Sequence, residues 1–159
     1  MKFLLPDVTI GAKDDETYAD LYSSACHELA HASHFTVAGK EYWNKYIRYI
    51  IDSFISTGGM TYGDGTGHGA GVCAVGEMWA YYLESKMYKE RYGGGFPTFG
   101  NSFWFKPQIF RQLDERGLSC GDIFSVLDED TDSVEDLEKA LVMAFPSRRN
   151  VIAQIFERY

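Results

Sequence analysis

The sequence predicts a mainly α-helical fold, one domain over residues 1–159, with at most one or two short strands at its N-terminus. Three observations carry this reading. Apolar residues recur at intervals of three and four through most of the chain, a single segment alternates, and glycine, proline and serine stand where helices should start or stop. A length of 159 residues with an apolar fraction of 45% suffices for one hydrophobic core and is short for two.

The alternating segment is Phe3 to Ile10, where Val8 and Ile10 flank Thr9, and it reads as a strand. Gly11 through Glu16 is a polar turn in which Asp14 or Asp15 can cap the helix that follows, from about Thr17 to Val37. Gly39 then fits the position past a helix end where a left-handed residue is wanted. A second helix, about Glu41 to Ser56, carries Trp43, Tyr46, Ile47, Ile50, Ile51, Phe54 and Ile55 on one face. Gly58 to Gly71 holds seven glycines and no periodicity, so it reads as a long loop of the kind that is functional or mobile. A third helix spans roughly Val72 to Arg91 and stops at Gly93-Gly94-Gly95. Past an aromatic loop, Pro107 suits the first turn of a fourth helix ending at Gly117, and Ser119, Ser133 and Ser147 each open a short helical pattern.

The formal net charge of −8 repels phosphate backbones, and Arg148-Arg149 is too small a basic run to offset it, so nucleic acid is excluded as a partner. Three cysteines at wide spacing, Cys26, Cys73 and Cys120, with no CxxC pair, fit neither a disulfide scaffold nor a structural zinc knot. No apolar stretch approaches the ~20 residues that a membrane-spanning helix needs. The run before Pro6 is also too short for the apolar core of a signal peptide. The expectation is a soluble chain, which the mature or truncated form of an exported protein would also satisfy.

The chemistry sits in Cys26-His27-Glu28-Leu29-Ala30-His31, a His-Glu-x-x-His pattern in mid-helix. Residues four apart lie ~40° apart around a helix and ~6 Å along it, so His27 and His31 can reach one metal ion. Glu28, beside the first ligand, can then take a proton from a zinc-bound water attacking a peptide carbonyl. Two histidines leave zinc (Zn2+) short of a third protein ligand. His34 lies about 10 Å along the helix from His27, an awkward reach. A metzincin would place a histidine at position 37, which is Val37. Glu77, one turn into the third helix and flanked by Gly76 and Ala80, is the better third ligand, with Glu84 as the fallback.

His27-Glu28-Leu29-Ala30-His31 together with Gly76-Glu77-Met78-Trp79-Ala80 resembles the gluzincin division of the zincin metallopeptidases. More closely, it is similar to uncharacterised bacterial metallopeptidase-like proteins that combine His-Glu-Leu-Ala-His-Ala-Ser-His with Gly-Glu-Met-Trp. The resemblance runs from Pro6-Asp7 to about Phe103-Trp104 and implies a minimal zincin-like helical domain. It implies zinc on His27, His31 and Glu77, catalysis by Glu28, and a peptide or protein substrate. The Asn-Glu-x-x-x-Asp form of the thermolysin group is absent, and the zincin sheet is reduced to one strand.

An oxyanion forming in peptide hydrolysis needs a donor beside the metal. His68, alone among the loop glycines, is the preferred candidate, with Tyr62, Tyr81 and Tyr82 behind it. Cys26 points ~100° away from the metal-facing side and reads as packing. Two other readings share these residues: a metal-dependent amidase on a non-peptide substrate, and a catalytically degenerate zincin that keeps its metal as a binding module.

Overall fold

The structure, a computed structural model, describes residues 16–159. The expected strand at Phe3 to Ile10 and the expected caps Asp14 and Asp15 lie outside the described residues. Among the described residues all regular structure is helical, as expected. The helices are α1 (Tyr18–Ser56), α2 (Ala70–Tyr92), α3 (Gln108–Glu115), α4 (Cys120–Phe124), α5 (Val134–Ala144) and α6 (Arg149–Phe156). A 3-10 turn (Pro146–Arg148) leads into α6.

Thr17, not an upstream aspartate, caps α1. Its hydroxyl accepts from the Asp20 amide at 3.2 Å, and the Asp20 carboxylate accepts from the Thr17 amide at 3.0 Å, a reciprocal box. Such a cap is worth about 1 kcal/mol.

The two helices expected on either side of Gly39 form α1, with Gly39 as the break at φ 72° and ψ −177°. Only glycine reaches that backbone region without strain. The break reverses the chain. His31 and Tyr46, ~22 Å apart in an unbroken helix, have ring centroids 5.9 Å apart. His34 and Tyr42 meet at 4.7 Å. α1 is therefore a hairpin, with an N-terminal arm before Gly39 and a C-terminal arm after it.

α2 packs most extensively on this hairpin and is the central helix of the molecule. Every residue from Val72 to Ala80 is buried, so this N-terminal half of α2 has no polar face and behaves as a core helix. A side chain at Gly76 would meet the Tyr46 ring at 3.5 Å, and Ala80 is fully buried, so these small residues seat α2 closely against α1. On the other side Trp79, Phe105, Ile109, Phe110 and Leu113 join Leu137, Leu141 and Ile152 in one core.

The glycine-rich loop is shorter than expected, because Ala70 and Gly71 already belong to α2. It is also pinned. The Tyr62 carbonyl accepts from Trp104 Nε1 at 2.8 Å and from the Tyr49 hydroxyl at 3.0 Å. A Cβ at Gly65 would lie 2.7 Å from the Trp104 ring. Ser119 and Ser133 cap α4 and α5 as expected. Ser147 does not cap; it lies inside the 3-10 turn that begins at Pro146, whose ring favours that tight start. No helix among the described residues is long and apolar enough to cross a membrane.

Candidate metal centre

His27 and His31 leave the same face of the N-terminal arm and meet Glu77 from α2. The two Nε2 atoms are 3.2 Å apart. His27 Nε2 lies 3.6 Å from Glu77 Oε2, and His31 Nε2 lies 3.5 Å from Glu77 Oε1. All three ligand atoms fall within 4.8 Å of one another, which a single cation can bridge. The histidine side chains are 11% and 14% exposed, and Glu77 is 1% exposed, so the group is sunk but reachable.

Two of the three are oriented by a neighbour. His27 Nδ1 sits 3.1 Å from Glu84 Oε2, and Glu84 Oε1 accepts from the Ser23 hydroxyl at 2.5 Å. With Nδ1–H facing that carboxylate, Nε2 presents its lone pair to the centre. The Tyr46 hydroxyl donates to Glu77 Oε1. Glu77 Oε2, by contrast, is buried with no hydrogen-bond partner. A buried carboxylate oxygen without a donor is costly, and a cation held between it and the two imidazoles removes that cost.

The electrostatics agree with the geometry. Burial works to lower the His27 pKa, but the neighbouring carboxylates of Glu77 and Glu84 outweigh it and raise it to about 9. Burial works to raise Glu77, and His27 and His31 overcome that to hold it at about 2. The site is thus built for positive charge. Two histidines and a carboxylate suit zinc and equally suit ferrous iron, so the donor set alone does not select the ion.

Glu84, the fallback ligand, is not among the three converging residues; it stands one shell out, behind His27. Glu84→Gln should therefore weaken metal binding about 10–100-fold, less than Glu77→Ala does. Competition with a chromophoric chelator measures this, and an unchanged affinity would separate Glu84 from the site.

Glu28 is half-buried and lines a 350 Å³ cavity with His27, His31 and Glu77. Tyr62 lines the same cavity, and the Tyr81 ring packs edge-on against His27 with centroids 4.5 Å apart. Burial pushes the Tyr62 hydroxyl far up and the Tyr81 hydroxyl to about 12, so both remain proton donors at neutral pH. Tyr82 faces away and donates to Asp114 at 2.9 Å.

His68 is not brought to this cavity. It is exposed and lines a separate groove with Lys45, Arg48 and Asp132, because the pinned turn at Tyr62 and Trp104 carries the later loop past the metal centre. Among the loop candidates it is Tyr62 that lines the cavity with Glu28. The sequence signal for Tyr62 was present but outweighed by the glycines around His68. His34 is fully buried against Tyr42 and Trp43, both ring nitrogens lack partners, and it is outside the ligand group. Cys26 is half-buried, and burial raises its thiol, the opposite of nucleophile activation.

No family model, curated protein or solved structure matches the chain.

Proposed function

We propose that the chain is a zinc-dependent hydrolase, acting as a peptidase with Glu28 as its general base. The observation that carries this reading is the convergence of His27, His31 and Glu77 in a cavity that Glu28 also lines. Three protein donors among the described residues, where a purely structural zinc site uses four, leave room for substrate and water. A bound zinc ion would supply Lewis-acid polarisation of the carbonyl and a lowered pKa for water.

The chain's own residues do the rest. His27, held by Glu84, and His31 would offer imidazole nitrogens to the ion, while Glu77, held by Tyr46, would supply the negative donor. Glu28 takes a proton as water oxygen bonds to the carbonyl carbon. It passes that proton to the amide nitrogen as the C–N bond breaks, giving an acid and an amine. Tyr62, a protonated donor on the cavity wall, can serve the oxyanion that develops between those steps.

The test is metal analysis followed by a peptide-library digest. About one zinc per chain is expected, with cleavage abolished by chelation and restored by zinc. Glu77→Ala should lose the metal and the cleavage together. A zinc-loaded protein that cleaves no peptide but hydrolyses other amides would move the chain to a different amidase. One that hydrolyses neither would leave a metal-holding binding module.

A further inference from the structure

We propose that the cavity wall formed by Trp43, Ile47, Ile50 and Ile51 receives a large apolar side chain next to the scissile amide, so that the substrates are peptides with an aliphatic or aromatic residue there. This rests on the hydrolytic reading above.

The turn at Gly39 sets the C-terminal arm of α1 against the ligand-bearing arm, and Trp43 meets the His31 ring at 5.3 Å. From Trp43 onward the spacing of three and four keeps Ile47, Ile50 and Ile51 on the side that faces the cavity holding Glu28. Folding leaves this stripe open. Ile47 and Ile51 are 52% and 51% exposed where they border the cavity. Among the described residues neither lysine nor arginine lines the cavity, and the carboxylates that do, Glu28 and Glu77, belong to the proposed reaction centre. An acidic side chain would meet no countercharge, and a polar one would lose its water to apolar carbon. An apolar side chain would instead cover the isoleucines and leave water with them.

The experiment compares wild type, Ile47→Asp, Ile47→Ala and Ile55→Asp, all zinc-loaded. Ile47 and Ile55 are both exposed, so each variant should fold, but Ile55 lies off the cavity and serves as the control. With a peptide library, wild type should favour Leu, Ile, Met or Phe over Ala or Asp beside the cut bond by at least about tenfold in kcat/KM. Ile47→Asp should erase that preference, Ile47→Ala should reduce it, and Ile55→Asp should keep it. A second readout needs no turnover: by calorimetry, an isobutyl-bearing hydroxamate should bind wild type and Ile55→Asp about tenfold more tightly than acetohydroxamate does, and Ile47→Asp should lose that margin. Cleavage without an apolar preference, or a preference untouched in Ile47→Asp, overturns the apolar pocket while the hydrolytic reading stands. No cleavage in any peptide library overturns the peptidase reading, and the hydroxamate comparison then decides the pocket separately.

Discussion

Glu28→Gln is expected to bind zinc as wild type does and to hydrolyse peptides at least about 100-fold more slowly. The two properties separate because Glu28 lies on the same cavity as the ligand group without belonging to it. Glutamine keeps the size and the hydrogen-bonding capacity of the side chain but has no basic oxygen to accept a proton from water. KM should change little, since the loss falls on the proton transfer and not on ground-state contacts. Zinc content by mass spectrometry and single-turnover cleavage measure the two halves. Wild-type turnover in this variant would remove Glu28 from the mechanism. Loss of zinc would make it a ligand.

The second large effect concerns stability and lies in His34. Burial, with a smaller contribution from the charge on His31, lowers its pKa from 6.5 to about 3. The unfolded chain therefore takes up a proton below pH 6.5 that the folded chain refuses. The stability involved is fully present above pH 6.5, falls by ~1.4 kcal/mol per pH unit as pH drops, and stops falling below about pH 3. By pH 4.5 the loss is on the order of 3 kcal/mol, a large share of a typical folding free energy. His34→Leu should remove that part of the acid sensitivity and leave no orphaned neighbour, because neither ring nitrogen has a partner. Urea titrations at pH 7 and 4.5, both with chelator present, give the difference. Parallel losses in the two proteins would show that His34 does not titrate on unfolding.

The pairing of His27 with His31 could be read in advance because its spacing is covalent. Four residues on one helix put His27 and His31 together whatever the rest of the chain does. Glu77 was readable more indirectly, through the small residues Gly76 and Ala80 that let α2 approach α1. Glu84 appeared only as a competing ligand, because seven residues along α2 places it on the same face as Glu77 and spacing cannot tell one shell from the next. Its link to His27 Nδ1 depends on how the two helices cross. His68 failed for a related reason. A histidine among glycines looks chosen, but where a loop carries it depends on distant anchors, here Trp104 and Tyr49 on the Tyr62 carbonyl. Gly39 was correctly a stop signal, but nothing in its spacing says whether the next helix continues outward or folds back.

That fold-back at Gly39 also orders the assembly of the protein in time. Both imidazoles of the candidate centre, Glu28 and the apolar wall come from residues 27–51 and meet across the single turn at Gly39. Contacts so close in sequence close quickly, whereas Glu77 arrives only when α2 docks across the intervening loop. Half of the cavity can therefore exist before the carboxylate that completes it. An ion spanning both halves would be gripped late in folding and released early in unfolding, so its main effect would be on how long the native state lasts and not on how fast it forms.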